Sequence, residues 1–85
     1  MVAAMPAPPP PHELMPIIAA NVSRLIDLSP DSVAEVARRA QVGRGTLIRV
    51  MEGANPDVWL GTLAAIARAL DVSVIDLLTP PDEGA

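Results

Sequence analysis

The stretch that decides the fold reads VAEVARRAQVGRGTLIRVMEG and spans residues 33–53. Its first half repeats apolar residues at the spacing of an amphipathic helix, at Val33, Val36, Ala37 and Ala40. Its second half does the same at Leu47, Val50 and Met51. The two patterns are separated by Gln41, Val42 and Gly43. The stretch therefore predicts two short helices joined by a tight turn.

The turn has a composition that lets the two helices cross at a steep angle. Val42 is an apolar residue that can plug the turn, and Ala37 and Ala40 are small enough for the two backbones to approach closely. The second helix then presents an outward face of Arg44, Thr46, Ile48, Arg49 and Glu52. A helix pair of this shape can place its second helix in the major groove of DNA.

Two arginines on that outward face have the chemistry for reading DNA. A guanidinium group presents paired N–H donors that match two acceptors on a guanine edge or a phosphate group. Arg44 and Arg49 are five residues apart, which separates them by about 140° around a helix and lets both reach one groove. The alternative is that both are ordinary solvated charges on a helix surface.

The same residues resemble the helix-turn-helix of the Cro/CI-type (XRE) repressors, whose usual pattern is close to S-x-x-E-L-A-x-x-A-G-V-S-x-x-T-I-S-x-I-E-x-G. This chain matches that pattern at Ser32, Glu35, Val36, Ala37, Ala40, Val42, Thr46, Leu47, Val50 and Gly53. The resemblance continues through residues 60–73 and covers about residues 14–78. It implies an all-α, five-helix, lambda-repressor-like DNA-binding domain with a central helix-turn-helix.

The resemblance also implies which residues contact double-stranded DNA. The expected contacts are Ser32, Arg38, Arg39, Gly43, Arg44, Gly45, Thr46, Ile48 and Arg49. For Arg38 and Arg39 a purely solvent-facing role is the stronger alternative, and Thr46 could equally pack inside the domain. Ile48 could contact a thymine methyl group or belong to a protein interface.

Members of this family often form dimers through their fourth and fifth helices. The corresponding candidates for a homodimer interface are Trp59, Val74, Ile75 and Leu78. In the family, an Arg and a Glu often form an ion pair where this chain has Ile26 and Met51. Replacing such a pair by apolar groups is often neutral or stabilising, so the same packing of the first helix against the third is expected.

The limits of the helices follow from local signals. The first helix should begin at Leu14 or Pro16, end at Leu28, and bury Ile18, Val22, Leu25 and Ile26. The third should cover residues 44–52 and stop at Gly53. Asp57 should cap a fourth helix that ends at Leu70 and buries Leu60, Leu63, Ile66, Ala67 and Leu70. Ser73 with Asp76 should open a fifth helix over residues 74–78.

The second helix has two candidate N-caps. Ser32 with Glu35 has the spacing of a capping box, and the resemblance favours it. Ser29 followed by Pro30 is the other candidate, because proline suits the first helical position. We prefer Ser29, since it also accounts for Pro30.

Composition divides the chain and narrows its function. Residues 1–12 are a Pro-rich segment expected to be disordered, residues 13–79 form the DNA-binding domain, and residues 80–85 are a short acidic tail. With no Cys and a single His in the Pro-rich segment, no catalytic, cofactor or metal site is expected. No membrane-spanning run or signal peptide is recognised, which favours the cytoplasm.

The net charge of −4 opposes DNA binding, because phosphate neutralisation supplies much of the affinity. Four of the six arginines nevertheless fall between residues 38 and 49. Two hypotheses remain: a repressor that binds an inverted repeat as a homodimer, and a protein-binding module such as an antitoxin or an inhibitor subunit.

Overall fold

The computed structural model describes residues 11–54 and 60–80, with side chains from residue 14 onward. Its helices are α1 (Pro11–Leu28), α2 (Val33–Ala40), α3 (Arg44–Met51), α4 (Leu60–Ala69) and α5 (Val74–Leu78). These two ranges contain five helices and no strand, which confirms the predicted all-α class. Disorder was predicted for residues 1–12, but Pro11 and His12 belong to α1. Residues 1–10, the predicted Asp57 cap, Trp59 and residues 81–85 of the acidic tail lie outside the described residues.

The helices surround one core. Each helix packs mainly against two others: α1 contacts α3, α3 contacts α2, α2 contacts α4, α4 contacts α5, and α5 contacts α1 again. All five contribute a large, fully buried aliphatic side chain: Val22, Val36, Leu47, Val50, Ile66 and Leu77. Burying one such side chain stabilises a fold by roughly 1.5–3 kcal/mol. Every helix therefore contributes to the stability of the fold.

Helix α1 begins earlier than the sequence pattern predicts. It starts at Pro11, because proline fits the first helical position, where the missing N–H needs no partner. Pro16 therefore lies in the second turn of α1 rather than the first. The predicted burial of Ile18, Val22 and Ile26 is confirmed, whereas Leu25 is only half-buried against the core.

A buried polar side chain ties α1 to the end of α5. Asn21 is completely buried, and its Nδ2 donates to the carbonyls of Leu77 at 2.9 Å and Thr79 at 2.8 Å. The last carbonyls of a helix have no donor within the helix itself. The Asn21 amide supplies that donor at the end of α5. Oδ1 of Asn21 has no hydrogen-bond partner among the described residues.

Helix α2 is capped by Ser32, and our preference for Ser29 was wrong. The Ser32 hydroxyl accepts from the backbone N–H of Glu35 at 3.2 Å. Ser29 instead belongs to the end of α1, because its backbone N–H donates to the Ile26 carbonyl at 3.1 Å. The Ser29 hydroxyl accepts from the N–H of Asp31 in the loop that follows.

Substituting the two serines separately distinguishes their roles. We expect Ser32→Ala to lower the free energy of unfolding by about 1 kcal/mol, because one N–H at the start of α2 loses its acceptor. Ser29→Ala is the matched control and should lower it by less than about half as much, since its hydroxyl caps no helix. Urea denaturation of both variants measures the difference, and an equal or larger loss in Ser29→Ala would contradict this assignment.

The α4–α5 segment departs from its predicted pattern at one position. Leu63, Ile66 and Ala67 are buried as expected and Leu70 is half-buried, but Leu60 is 68% exposed. Leu60 is the first residue of α4, and an apolar spacing cannot tell whether a helix end extends past its neighbours.

Helix α5 has the predicted limits. It covers Val74–Leu78, and Ser73 and Asp76 form both hydrogen bonds of a capping box. The hydroxyl of Ser73 accepts from the Asp76 N–H at 3.2 Å, and the Asp76 carboxylate accepts from the Ser73 N–H at 2.9 Å.

Candidate nucleic-acid interface

The α2–α3 pair forms the predicted helix-turn-helix. Ala37 and Ala40 are buried, and Val42 packs against the core from within the turn. The C-cap of α2 is Gln41, which follows Ala40 and adopts a left-handed conformation with φ 59°. The N–H of Val42 then donates to the Ala37 carbonyl at 3.0 Å, which is the closing bond of a Schellman-type turn.

Gln41 offers a test of this turn. Non-glycine residues pay roughly 1 kcal/mol for the left-handed conformation, and the Gln41 side chain is exposed. We therefore expect Gln41→Gly to raise the free energy of unfolding by about 0.5–1 kcal/mol.

The control is Ala64→Gly, which introduces glycine at an exposed position inside α4. It should lower the free energy of unfolding by about 0.5–1 kcal/mol. Thermal unfolding of the two variants should thus move in opposite directions, and a loss of stability in both would contradict the left-handed turn.

The inner face of α3 is fixed against the rest of the domain. Leu47 and Val50 are fully buried, and the Ser23 hydroxyl of α1 donates to the carbonyl of Met51 at 3.3 Å. Ile26 is buried and Met51 is half-buried against the core, in keeping with the predicted apolar packing of α1 against α3. The orientation of α3 is therefore set by α1 and the core.

The end of α3 follows the prediction closely. The helix stops at Met51, one residue before the predicted limit, with Glu52 as its C-cap. Gly53 then adopts φ 69°. The N–H of Ala54 donates to the Arg49 carbonyl at 2.9 Å. A side chain at residue 53 would be strained by that φ, which explains the glycine.

The outer face of α3 is open to solvent. The exposed residues of this face are Arg44, Gly45, Ile48, Arg49 and Glu52, with Thr46 half-buried at its edge. Ile48 is 36% exposed and is the only large apolar side chain in this set. We call Arg44, Gly45, Ile48, Arg49 and Glu52 the outer face of α3 below.

The N-terminus of α3 has a positive electrostatic character that comes from its backbone. Its N-cap is Gly43, which makes no side-chain capping bond, and its first turn contains no acidic residue. The free N–H groups of a helix N-terminus carry partial positive charge. Gly43 and Gly45 are both exposed, so this backbone is accessible from outside.

The four arginines of the helix-turn-helix fall into two classes. Arg38 pairs with Glu35 at 2.5 Å, and Arg39 pairs with Asp31 while also donating to the Ala69 carbonyl at 3.0 Å. Arg44 and Arg49 form no ion pair with any residue of the described ranges. The two unpaired arginines of this region therefore lie on the outer face of α3, which also carries the exposed carboxylate of Glu52.

The remaining predicted contact residues are divided between the start of α2 and the start of α3. Ser32 is exposed, although its hydroxyl is used to cap α2. Gly43, Arg44 and Gly45 are contiguous and exposed, and they lead directly to Ile48 and Arg49 one turn later. The predicted contacts of residues 43–49 are thus contiguous on α3, whereas Arg38 and Arg39 lie on α2 and Arg39 bonds to the α4 residue Ala69.

The predicted dimer residues are placed less uniformly. Ile75 is 73% exposed, whereas Val74 and Leu78 are half-buried against the core. Two other aliphatic side chains are largely exposed: Leu28, the last residue of α1, at 72%, and Leu60, the first residue of α4. The apolar spacing of α4 grouped Leu60 with core residues, because spacing alone does not show which residues at a helix end lie beyond the neighbouring helices.

Within residues 11–54 and 60–80, no helix combines the length and hydropathy that crossing a bilayer requires. The same ranges hold no group of three or more His, Cys, Asp or Glu side chains arranged to hold a metal ion.

Comparisons with known proteins agree with this geometry. A family model for the Cro/C1-type HTH DNA-binding domain matches residues 21–83. A crystal structure described as a hypothetical transcription factor NHTF from Neisseria is similar to this chain, with a TM-score of 0.79 and 27% sequence identity over 95% of this chain and 93% of that one. Among curated proteins, none matches the chain.

Proposed function

Because the chain belongs to the family of Cro/C1-type helix-turn-helix DNA-binding domains, we propose that it is a sequence-specific transcriptional repressor that binds an inverted-repeat operator as a homodimer. The observation that carries this proposal is the outer face of α3, where Arg44 and Arg49 are exposed and unpaired with any described residue. A regulator of this kind works where the DNA is, in the cytoplasm.

Each group of contact residues has a distinct role in this proposal. Arg44 and Arg49 bind base edges in the major groove, because a guanidinium matches the O6 and N7 acceptors of guanine. Arg38 and Arg39 bind flanking phosphates. Their present ion pairs are exposed, and such pairs are worth at most about 1 kcal/mol, so phosphate groups can replace the carboxylates.

The backbone at the start of α3 adds contacts that need no side-chain charge. Gly43 and Gly45 leave the first N–H groups of α3 accessible, and such groups bind phosphate oxygens. Thr46 follows Gly45 in α3 and Ser32 begins α2, and hydroxyl groups such as theirs contact phosphate oxygens of DNA.

A homodimer is proposed because one subunit has few cations. With a net charge of −4, a single domain gains little from phosphate neutralisation, whereas two domains engage two half-sites about 34 Å apart. The proposed contact surface contains Ile75, which is largely exposed, together with Val74, Leu78 and Trp59.

The experiment is selection of binding sites from a random duplex library with the full chain, combined with light scattering. We expect an enriched inverted repeat and a particle of twice the monomer mass. Enrichment of a single half-site by a monomer would contradict the homodimer, and failure to enrich any sequence would contradict sequence-specific binding.

A protein-binding module, such as an antitoxin or an inhibitor subunit, is the second candidate. It is favoured by the acidic net charge and by three largely exposed aliphatic side chains, Leu28, Leu60 and Ile75. In that case activity would depend on these residues rather than on Arg44 and Arg49.

A further inference from the structure

Gly45 is a glycine that the fold itself does not require. It is the second residue of α3, is exposed, and does not adopt a positive φ. Among residues 11–54 and 60–80, no atom lies within 4 Å of a Cβ built at Gly45. Glycine weakens a helix relative to alanine, so the free domain would tolerate a larger residue here and gain stability from it.

The open space at Gly45 lies beside an exposed apolar side chain. Ile48 is three residues further along α3, and residues at this spacing are neighbours whose Cβ positions lie about 5–6 Å apart. Arg44 and Arg49 flank the pair in sequence. We call the open space over Gly45 and beside the Ile48 side chain the notch. Its surface is apolar, and the arginines lie on either side of it in sequence.

We propose that this notch binds the 5-methyl group of a thymine in the major groove, an inference that rests on the DNA-binding function proposed above. Among the four bases, thymine alone presents an apolar methyl group on its major-groove edge. The flanking guanidinium groups favour the negative potential of DNA over an apolar protein surface. A methyl group placed at the notch contacts the Ile48 side chain at the usual apolar distance of about 4 Å.

Removing only the methyl group tests the proposal. Each thymine of the duplex selected by the full chain is replaced in turn by uracil, and the dissociation constant is measured at fixed salt. We expect one thymine per half-site to give about a fourfold loss per contact, the value of one buried methyl-sized group, while the remaining thymines give none.

The Ile48→Ala variant is measured on the unmodified duplex and on the uracil duplex that weakens binding of the unmodified protein. It should bind the thymine and uracil duplexes equally, because the side chain that contacts the methyl group is absent. If Ile48→Ala keeps the full thymine preference, or if no thymine matters to the unmodified protein, the proposal is wrong while the DNA-binding function stands. Failure to select any duplex counts against the DNA-binding function itself.

Two glycines provide a matched comparison. Gly61 is also exposed and is the second residue of α4, and a Cβ built on it meets no atom of the described residues within 4 Å. Gly45→Ala and Gly61→Ala should both raise the unfolding temperature. Only Gly45→Ala should weaken binding, by about tenfold, and reduce the preference for thymine, because its methyl group fills the notch. Equal DNA affinity in the two variants would overturn the proposal.

Discussion

The Arg44→Ala/Arg49→Ala double variant is expected to lose at least about thirtyfold in affinity for its selected duplex. Each well-placed guanidinium contact to a base contributes roughly 1–3 kcal/mol of discrimination, and every 1.4 kcal/mol is about tenfold. Both side chains are exposed and unpaired with any described residue, so the free energy of unfolding should change by less than about 0.5 kcal/mol per site. Fluorescence anisotropy with labelled DNA measures the loss.

The control removes the same charge elsewhere. Arg24 on α1 and Arg68 on α4 are exposed arginines outside the helix-turn-helix. For the Arg24→Ala/Arg68→Ala variant, the change in the logarithm of the dissociation constant should be less than about a third of the change in Arg44→Ala/Arg49→Ala, because the control alters only the overall electrostatic field. Equal losses in the two variants would mean that total charge, not the outer face of α3, determines binding. Full activity without Arg44 and Arg49 would favour the protein-binding module.

The Asn21→Asp variant is expected to lose about 3 kcal/mol or more of stability at neutral pH. Asn21 is completely buried, and its Nδ2 is the donor to two carbonyl oxygens. A carboxylate there has no N–H to donate and faces those oxygens with a buried charge, which is strongly destabilising.

This loss should depend on pH in a definite direction. Burial raises the pKa of a carboxyl group above its value in the unfolded chain, so the folded state binds the proton more tightly. Stability of Asn21→Asp should therefore be highest at low pH and fall as the pH rises through the raised pKa. Asn21→Ala, measured by urea denaturation at pH 5 and pH 7.5, should differ from the unmodified protein by the same amount at both. A pH-independent Asn21→Asp variant of near-normal stability would contradict the buried amide.

The parts of the fold that were predicted correctly depend on contacts between near neighbours. The helix limits of α5 come from Ser73 and Asp76, which bond to each other across three residues. The turn between α2 and α3 follows from the small residues Ala37 and Ala40 and the apolar Val42. These signals act within one or two turns of helix, so they can be recognised without knowing the fold.

The wrong N-cap prediction and one tertiary contact that was not predicted both depend on residues outside the local pattern. Ser29 has every local feature of an N-cap, but it is held by the Ile26 carbonyl at the end of α1. Asn21 bonds to carbonyls 56 and 58 residues away, and no spacing in the sequence announces that. The DNA contacts themselves stay predictions, because exposure of Arg44 and Arg49 is necessary for binding and does not demonstrate it.

The outer face of α3 can be located on DNA most directly by NMR. The uniformly ¹⁵N-labelled full chain is titrated with its selected duplex, and the backbone amide shifts of every helix are compared. We predict that the largest changes fall at residues 43–49, with small changes in α1 and α5. Large changes confined to α4 and α5, with residues 43–49 unaffected at saturation, would contradict the account.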